Sequence, residues 1–423
     1  MTPLAAAAGS GPRALLPAVW LTNRLAEEIV GFLRLAAAVP RAVELAAAAG
    51  LEGRTVSGVW ARFAPAPGFA ARITARGILP WLLWLGVNLL PAQPAAVPVP
   101  PARVTDTRPV LAPIVPEQSA AALTPSEWTK HRTALLAAWR QRLGPLPAAK
   151  VALDPEILST EELPDFTRQH VRYRVEEGVT TDGYLLTPRG RAGKLPAVVV
   201  FHQTTKSQAQ QVAGLDTSNP ELMHGVQLVR RGYVVWAPRC FIFGEGADYA
   251  GHVVAMQRKH PDWTGMARMT WDAVRAMDFI LTQPNVDPER VGGLGHSLGA
   301  KEVLYAAAFD ERYQAVVFSE GGIGLTFSNW DAPWYLGPQI RRPDFDLEHH
   351  QLMALIAPRA FLLLAGDSAD SDRSEAFIAA VRPIYRLFGA EKNLGWLNHR
   401  TGHRYPPSAQ TAAEDFLEAH LGR

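Results

Sequence analysis

Val291-Gly292-Gly293-Leu294-Gly295-His296-Ser297-Leu298-Gly299-Ala300-Lys301 is a short apolar strand that runs into G-x-S-x-G and on into a helical pattern, Glu302 to Phe309. A nucleophilic serine needs its hydroxyl raised above a sheet on a tight strand-to-helix turn. Glycines two before and two after it leave room for that turn. The helix N-terminus behind Ser297 also offers backbone N–H groups to a developing oxyanion. The motif alone is common by chance, so its flanks decide the reading. Thr270 to Gln283 reads as an amphipathic helix, Asn285 to Arg290 as a turn and Val291 to Leu294 as a strand, which gives helix, turn, strand, elbow, helix. Ser297 is the expected nucleophile.

Toward the N-terminus, Leu195 to Phe201 is a continuous apolar run with three valines, suited to a strand buried on both faces. It ends in His202-Gln203-Thr204-Thr205, a loop placed to supply a second oxyanion N–H, so the backbones of Gln203 and Leu298 are the expected oxyanion hole. His202 reads as a structural histidine. Before this run, Thr167 to Val175 and Thr180 to Thr187 read as an antiparallel pair turning at Glu177-Gly178. Thr124-Pro125-Ser126-Glu127 opens a helix with a hydroxyl cap, a proline at the first position and an acid at the third. That helix stops at Gly144-Pro145. Leu222 to Arg230 reads as a helix, Tyr233 to Ala237 as a strand, and Tyr249 to Thr264 as an irregular polar segment.

Toward the C-terminus, Tyr313 to Phe318 is a strand ending in Ser319-Glu320-Gly321-Gly322, where a glutamate in a glycine-rich loop is placed to orient a histidine. Trp330 and Trp334, in the polar loop Thr326 to Tyr335, could stack on a sugar or pack on the rim of a site. Arg359 to Ala365 is the next strand, and Gly366-Asp367-Ser368-Ala369-Asp370-Ser371-Asp372 follows it with alternative candidate acids, Asp370 or Asp367. Its alternation of aspartates with small polar residues reads as a solvated turn, which favours Glu320. Leu394 to Leu397 is a final strand, and His403, ahead of a closing helix Ala409 to His420, is preferred to His399 as the base. The chain order nucleophile, acid, histidine and the alternation of strands with helices predict an α/β fold with a mostly parallel central sheet flanked by helices and a site at the carboxyl ends of its strands.

Composition narrows the function classes. A formal charge of +2 with 19% charged residues gives no electrostatic case for a nucleic-acid partner. Cys240 is the only cysteine, which excludes an internal disulfide and a thiolate metal cluster. His252 and His260 lack the spacing of a zinc motif such as H-E-x-x-H, so neither a metal nor a cofactor is expected.

Residues 1–76 are Ala-rich, with eight arginines, four glutamates and no lysine. They are followed by an uncharged run, Gly77 to Ala102, most apolar over 78–90. A basic flank, a short apolar segment with tryptophans and a small-residue stretch match the grammar of an export signal, although the position is internal. The expected organisation is therefore a helical, apolar appendage (1–90) acting as signal, membrane anchor or packed helix, a Pro-rich linker (91–119) and a catalytic domain (120–423). Export to the periplasm or outside the cell, or membrane association through 78–90, is expected ahead of a cytoplasmic location. The oligomeric state is left open.

Residues from about 120 to 423 resemble the α/β-hydrolase superfamily, especially its dienelactone-hydrolase-like and acetyl-xylan-esterase-like members. Gly295-His296-Ser297-Leu298-Gly299-Ala300-Lys301 together with Phe318-Ser319-Glu320-Gly321-Gly322 is also similar to the glucuronoyl esterases. That resemblance implies a sugar-binding lysine four residues after the serine and a triad glutamate 23 residues after it, positions that Lys301 and Glu320 occupy; Leu298 stands where that family has an arginine. The expected protein is a serine esterase acting through an acyl-enzyme on carbohydrate esters, acetyl or uronoyl. The alternatives are a general carboxylesterase or lactonase for small molecules, or a binding protein on a hydrolase scaffold.

Overall fold

The computed structural model describes residues 109–115, 123–244 and 246–422. Its strands are β1 (Glu156–Glu162), β2 (Phe166–Glu176), β3 (Val179–Pro188), β4 (Leu195–Phe201), β5 (Val234–Pro238), β6 (Val286–His296), β7 (Ala315–Ser319), β8 (Ala360–Ala365) and β9 (Leu394–Asn398). They form one sheet in the order β1-β2-β3-β5-β4-β6-β7-β8-β9. The pairs from β5 through β4 to β9 are parallel, whereas β1, β2 and β3 add to the β5 edge in antiparallel fashion. The sheet is therefore mixed rather than uniformly parallel. The helices are α1 (Pro125–Leu143), α2 (Ala209–Val212), α3 (His224–Arg230), α4 (Tyr249–Lys259), α5 (Gly265–Ile280), α6 (Leu298–Phe309), α7 (His349–Ile356), α8 (Glu375–Leu387) and α9 (Pro407–Leu421).

Apolar runs without alternation became the central strands because both of their faces are covered. In β4, Ala197, Val199 and Phe201 enter one core, and Val198 and Val200 enter the other. In β8, Phe361, Leu363 and Ala365 divide from Ala360, Leu362 and Leu364 in the same way. Helices α1, α5, α6, α7 and α8 supply the first core, and α3 and α9 the second. Helix α1 begins as its sequence predicts, with the Thr124 side chain accepting from Glu127 N and the Glu127 carboxylate accepting from Thr124 N.

Several elements differ from the sequence reading. The supposed turn Asn285 to Arg290 is mostly strand, because β6 already pairs at Val286 with Leu195 before a register shift. The segment from Tyr249 is not irregular. Asp248 caps it by accepting from Gly251 N at 2.7 Å, and α4 follows with Val253 and Met256 inward. Helix α5 starts at Gly265, capped by Thr264, five residues before the predicted Thr270. Strand β1 is almost wholly exposed and so left no hydrophobic pattern to read; register with β2 and the Arg168–Glu161 ion pair at 2.5 Å hold it.

The expected appendage, most of the linker and the apolar run 78–90 lie outside the described residues. Membrane anchoring and membrane association are corrected here: among the described residues, no helix is long and apolar enough to cross a membrane. Neither is carried further.

Candidate active site

Strands β6, β7, β8 and β9 end side by side, and the loops leaving their carboxyl ends build the site. Ser297 follows β6 directly and has φ 59° and ψ −115°, a strained turn that lifts its side chain before α6 begins at Leu298. Ser297 N donates to Ser319 O at 2.8 Å, which ties the turn to the end of β7. The spacing of the two motif glycines has a steric cause. A Cβ on Gly295 would lie 2.0 Å from Gly299 O, and a Cβ on Gly299 would lie 2.1 Å from Phe201 O, both backbone atoms that cannot step aside. Gly299→Ala is expected to force α6 away from β4 and yield protein with a markedly lower melting temperature or none in the soluble fraction; thermal denaturation beside wild type checks it.

His403 Nε2 lies 2.8 Å from Ser297 Oγ, and His403 Nδ1 lies 3.1 Å from Glu320 Oε2. The glutamate is the acid that meets the histidine. Glu320, at φ 53°, is buried, and its carboxylate also accepts from the N–H groups of Gly366, Ala369 (3.0 Å) and Asp370 (3.3 Å). The loop after β8, where the aspartates stand, thus serves Glu320 through its backbone rather than supplying the acid.

Asp370 makes the reciprocal contacts. Its carboxylate accepts from Gly322 N at 2.6 Å, Ile323 N at 2.8 Å and Ser374 Oγ at 2.9 Å, and does not reach His403. Asp367 bonds Asn398 at 2.6 Å and faces Arg400. The expectation of a solvated turn is corrected, since Asp370 is 0% and Asp372 3% exposed. Burial raises the Asp370 pKa to about 6, with Glu320 adding to the rise against the backbone bond from Ile323. His399 accepts from Thr401 Oγ1 at 2.8 Å and does not meet Ser297.

No hydrogen bond among the described residues engages the backbone N–H of Gln203 or of Leu298, which leaves both expected oxyanion donors free. The Gln203 side chain is held by Gln211 at 2.8 Å. His202 is structural, as its sequence context suggests: its Nδ1–H donates to Gln203 O at 2.8 Å and its Nε2 accepts from Cys240 N at 3.0 Å. Burial lowers its pKa to about 4, so it is neutral. The Cys240 thiol is buried, and that burial pushes its pKa up.

A cavity of about 210 Å³ opens over Ser297 and His403, walled in part by Gln203, Thr204, Thr205 and Asn219. The Glu221–Arg404 ion pair closes one side. Sequence reasoning placed the Gln203–Thr205 loop at the site but missed Asn219, Glu221 and Arg404 on the rim, and it also missed roles for His296 and Tyr405. The His296 ring lies 5.0 Å from that of His403, its Nδ1 is 3.0 Å from Ser319 Oγ, and burial keeps it neutral. Apart from His296, which stands beside Ser297 in the motif, nothing local marks them, because they come from separate segments that only the fold joins.

Lys301, Trp330 and Trp334 do not line this cavity. Helix α6 is buried all round from Leu298 to Ala308, so the residue one turn after Ser297 points into packed protein. Lys301 is 3% exposed, and its Nζ has no hydrogen-bond partner among the described residues but lies 4.0 Å from the Trp330 ring centroid and 4.7 Å from that of Tyr335. Trp330 is fully buried and donates its Nε1–H to Gly322 O at 2.6 Å, which leaves no face for a sugar. Trp334 is half-buried, with Tyr249 edge-on at 5.5 Å.

Burial lowers the Lys301 pKa to about 7, opposed by Asp370. An unfolded lysine holds its proton up to roughly pH 10.4. Between these values the unfolded state binds the extra proton, so stability rises with pH across the window. Lys301→Met should abolish that rise and leave the protein at least as stable near pH 7, as judged by melting temperature from pH 7 to 10. An unchanged slope would place the titration elsewhere.

The profile of the dienelactone hydrolase family matches residues 181–329. A glucuronoyl esterase from Solibacter usitatus superposes with a TM-score of 0.58 at 19% identity, covering 77% of this chain and 99% of that one. One from Teredinibacter turnerae gives 0.57 at 22% identity, covering 72% and 88%. In sequence, the carbohydrate esterase MZ0003 of an unknown prokaryotic organism is 26% identical over 147 residues, which are 30% of this chain and 34% of that protein.

Proposed function

We propose that this α/β-hydrolase-superfamily chain, related to the dienelactone-hydrolase, acetyl-xylan-esterase and glucuronoyl-esterase families, is a serine ester hydrolase acting on carbohydrate esters. The observation that carries the reading is the relay Ser297 Oγ, His403 Nε2, His403 Nδ1, Glu320 Oε2, with its two short links and its strained serine turn.

In the proposed reaction, Ser297 attacks the ester carbonyl while its proton passes to His403 Nε2. Glu320 holds the proton on Nδ1 and stabilises the imidazolium. The negative oxygen of the tetrahedral intermediate faces the N–H groups of Gln203 and Leu298. As that intermediate collapses, His403 returns the proton to the alcohol oxygen, the C–O bond breaks and an acyl-serine remains. A water then attacks the acyl carbon, with His403 taking its proton and handing one back to Ser297.

Two features support a carbohydrate ester. The wall near Ser297 is rich in amides, hydroxyls and charged groups, which suit a hydroxylated ring better than a long acyl chain. The names of the similar proteins point the same way. Within that class, Leu298 in place of an arginine and the burial of Lys301 favour an acyl group carried on a sugar over a uronoyl ester.

A fluorophosphonate probe followed by peptide mapping tests the chemistry, with an adduct on Ser297 expected. Acetylated xylo-oligosaccharides, methyl glucuronate, p-nitrophenyl acetate and p-nitrophenyl octanoate test the substrate. Folded protein that takes up no probe, or that prefers the octanoate, would count against this reading.

A further inference from the structure

The 210 Å³ cavity at Ser297 is smaller than the roughly 300–1,000 Å³ of pockets that enclose whole ligands, so most of an oligosaccharide must lie outside it. The loop after β4 shows where. Gln203, Thr204 and Thr205 line the Ser297 cavity, while the residues that follow at once, Lys206 to Gln210, line a second cleft of about 1010 Å³. Thr205 and Lys206 are adjacent in the chain, so the two spaces share a wall about one residue thick, ~4 Å between consecutive Cα atoms.

That cleft is lopsided in charge. Asp182 alone answers His170 (2.7 Å) and Arg239 (2.7 Å). Glu176, buried behind the cleft, answers Lys259 (3.1 Å) and His260 (2.6 Å), and shares Arg268 (3.5 Å) with Asp272, which holds that guanidinium at 2.8 Å. Burial opposes ionisation of Asp182 and Glu176, yet the bonds from their partners hold these two below the usual carboxylate range, so they are charged and engaged. Two further cations on the lining face solvent. Lys206 is exposed and has no hydrogen bond or ion pair among the described residues; Arg172 has only Glu156, at 3.6 Å, with half its side chain exposed. Phe241 and Phe243 line the same cleft and add apolar ring surface. Surplus positive charge beside aromatic rings, one residue along the chain from the wall of the ester site, suits a carboxylate-bearing carbohydrate.

We infer that this cleft binds an acidic oligosaccharide, and that the ester cleaved at Ser297 is carried on a chain whose neighbouring uronate residues lie along Lys206 and Arg172. The inference rests on the esterase reading and narrows it. The carboxylates recognised here belong to sugars flanking the scissile ester, not to the ester itself.

Calorimetric titration of the full chain carrying Ser297→Ala with unesterified trigalacturonate reads the cleft without turnover, and xylotriose is the uncharged control. Trigalacturonate is expected to bind more tightly than xylotriose, to weaken as salt is raised, and to lose about tenfold or more in affinity when Lys206→Glu and Arg172→Glu are added. Circular dichroism checks that the variant is folded. In the chain with Ser297 restored, the same pair should lower the ratio of kcat/KM for acetylated oligogalacturonate to that for p-nitrophenyl acetate by a similar factor. Trigalacturonate that fails to bind, or that binds the charge-reversed protein equally well, overturns the inference. Charge-dependent binding in a protein that turns over no ester would instead fell the esterase reading and leave the cleft standing.

Discussion

Ser297→Ala is expected to lower kcat on any accepted ester by about 10⁴-fold or more while leaving the melting temperature within a few degrees of wild type. Loss of the nucleophile from a serine relay removes the covalent route, and the residual rate comes from binding and the oxyanion donors alone. The fold should tolerate the change because Ser297 is held at φ 59° by the turn itself, and alanine meets the same backbone strain that serine already bears. The one hydrogen bond lost is that from Ser297 Oγ to His403, whose ring is partly exposed and can turn to water. Steady-state kinetics with thermal denaturation decide it. A variant with more than a hundredth of wild-type kcat would show that the ester is hydrolysed by some other group.

Glu320 and Asp370 are both buried carboxylates, and the structure separates their expected effects. Glu320→Ala should lower kcat by about 10³- to 10⁴-fold, because His403 loses the partner that fixes its tautomer and stabilises its charged form. It should also destabilise the protein by about 2–4 kcal/mol, since the N–H groups of Gly366, Ala369 and Asp370 lose their acceptor in a buried loop. Asp370→Ala should cost a similar amount of stability by stranding Gly322 N and Ile323 N, yet only about tenfold or less in kcat. Kinetics on both variants, with circular dichroism to establish folding, separate the roles; a near-dead Asp370→Ala beside an active Glu320→Ala would reverse them.

A pH titration of stability adds an independent reading of Asp370. Its folded pKa of about 6 lies above the unfolded value, roughly 3.9. Between these the folded state binds the extra proton, so this residue makes stability fall as pH rises from about 4 to about 6. Asp370→Asn cannot titrate and should flatten that descent, which melting temperatures across the window would reveal.

The sequence by itself determined the central strands and the elbow. Unbroken apolar runs such as Leu195–Phe201 and Arg359–Ala365 can be satisfied only between two layers, and G-x-S-x-G needs glycine where backbone meets backbone. These are local constraints, written in residues close together in the chain. It also pointed to Ser297, Glu320 and His403, because each stands where a strand gives way to a loop. Its reason for preferring Glu320 over the aspartates was nevertheless wrong: Asp370 and Asp372 are as buried as Glu320. What decides between them is which carboxylate meets His403 across 83 residues of chain, and that is set by how the loops after β7 and β8 fold onto each other.

Only the tertiary structure decided the rest. The resemblance that implied Lys301 as a sugar ligand says how far it stands from Ser297 along the chain, but not that every side of α6 is covered and the lysine turned in against Trp330. Strand β1 was invisible because an exposed edge strand has register without hydrophobic pattern. The cationic cleft joins β2, β3, the loop after β4 and α4, and its surplus charge emerges only when each carboxylate is matched with the cations it already serves. Local sequence encodes which conformation a segment prefers; which side chains meet, and which charges remain unanswered, depends on distances between segments that sequence order does not contain.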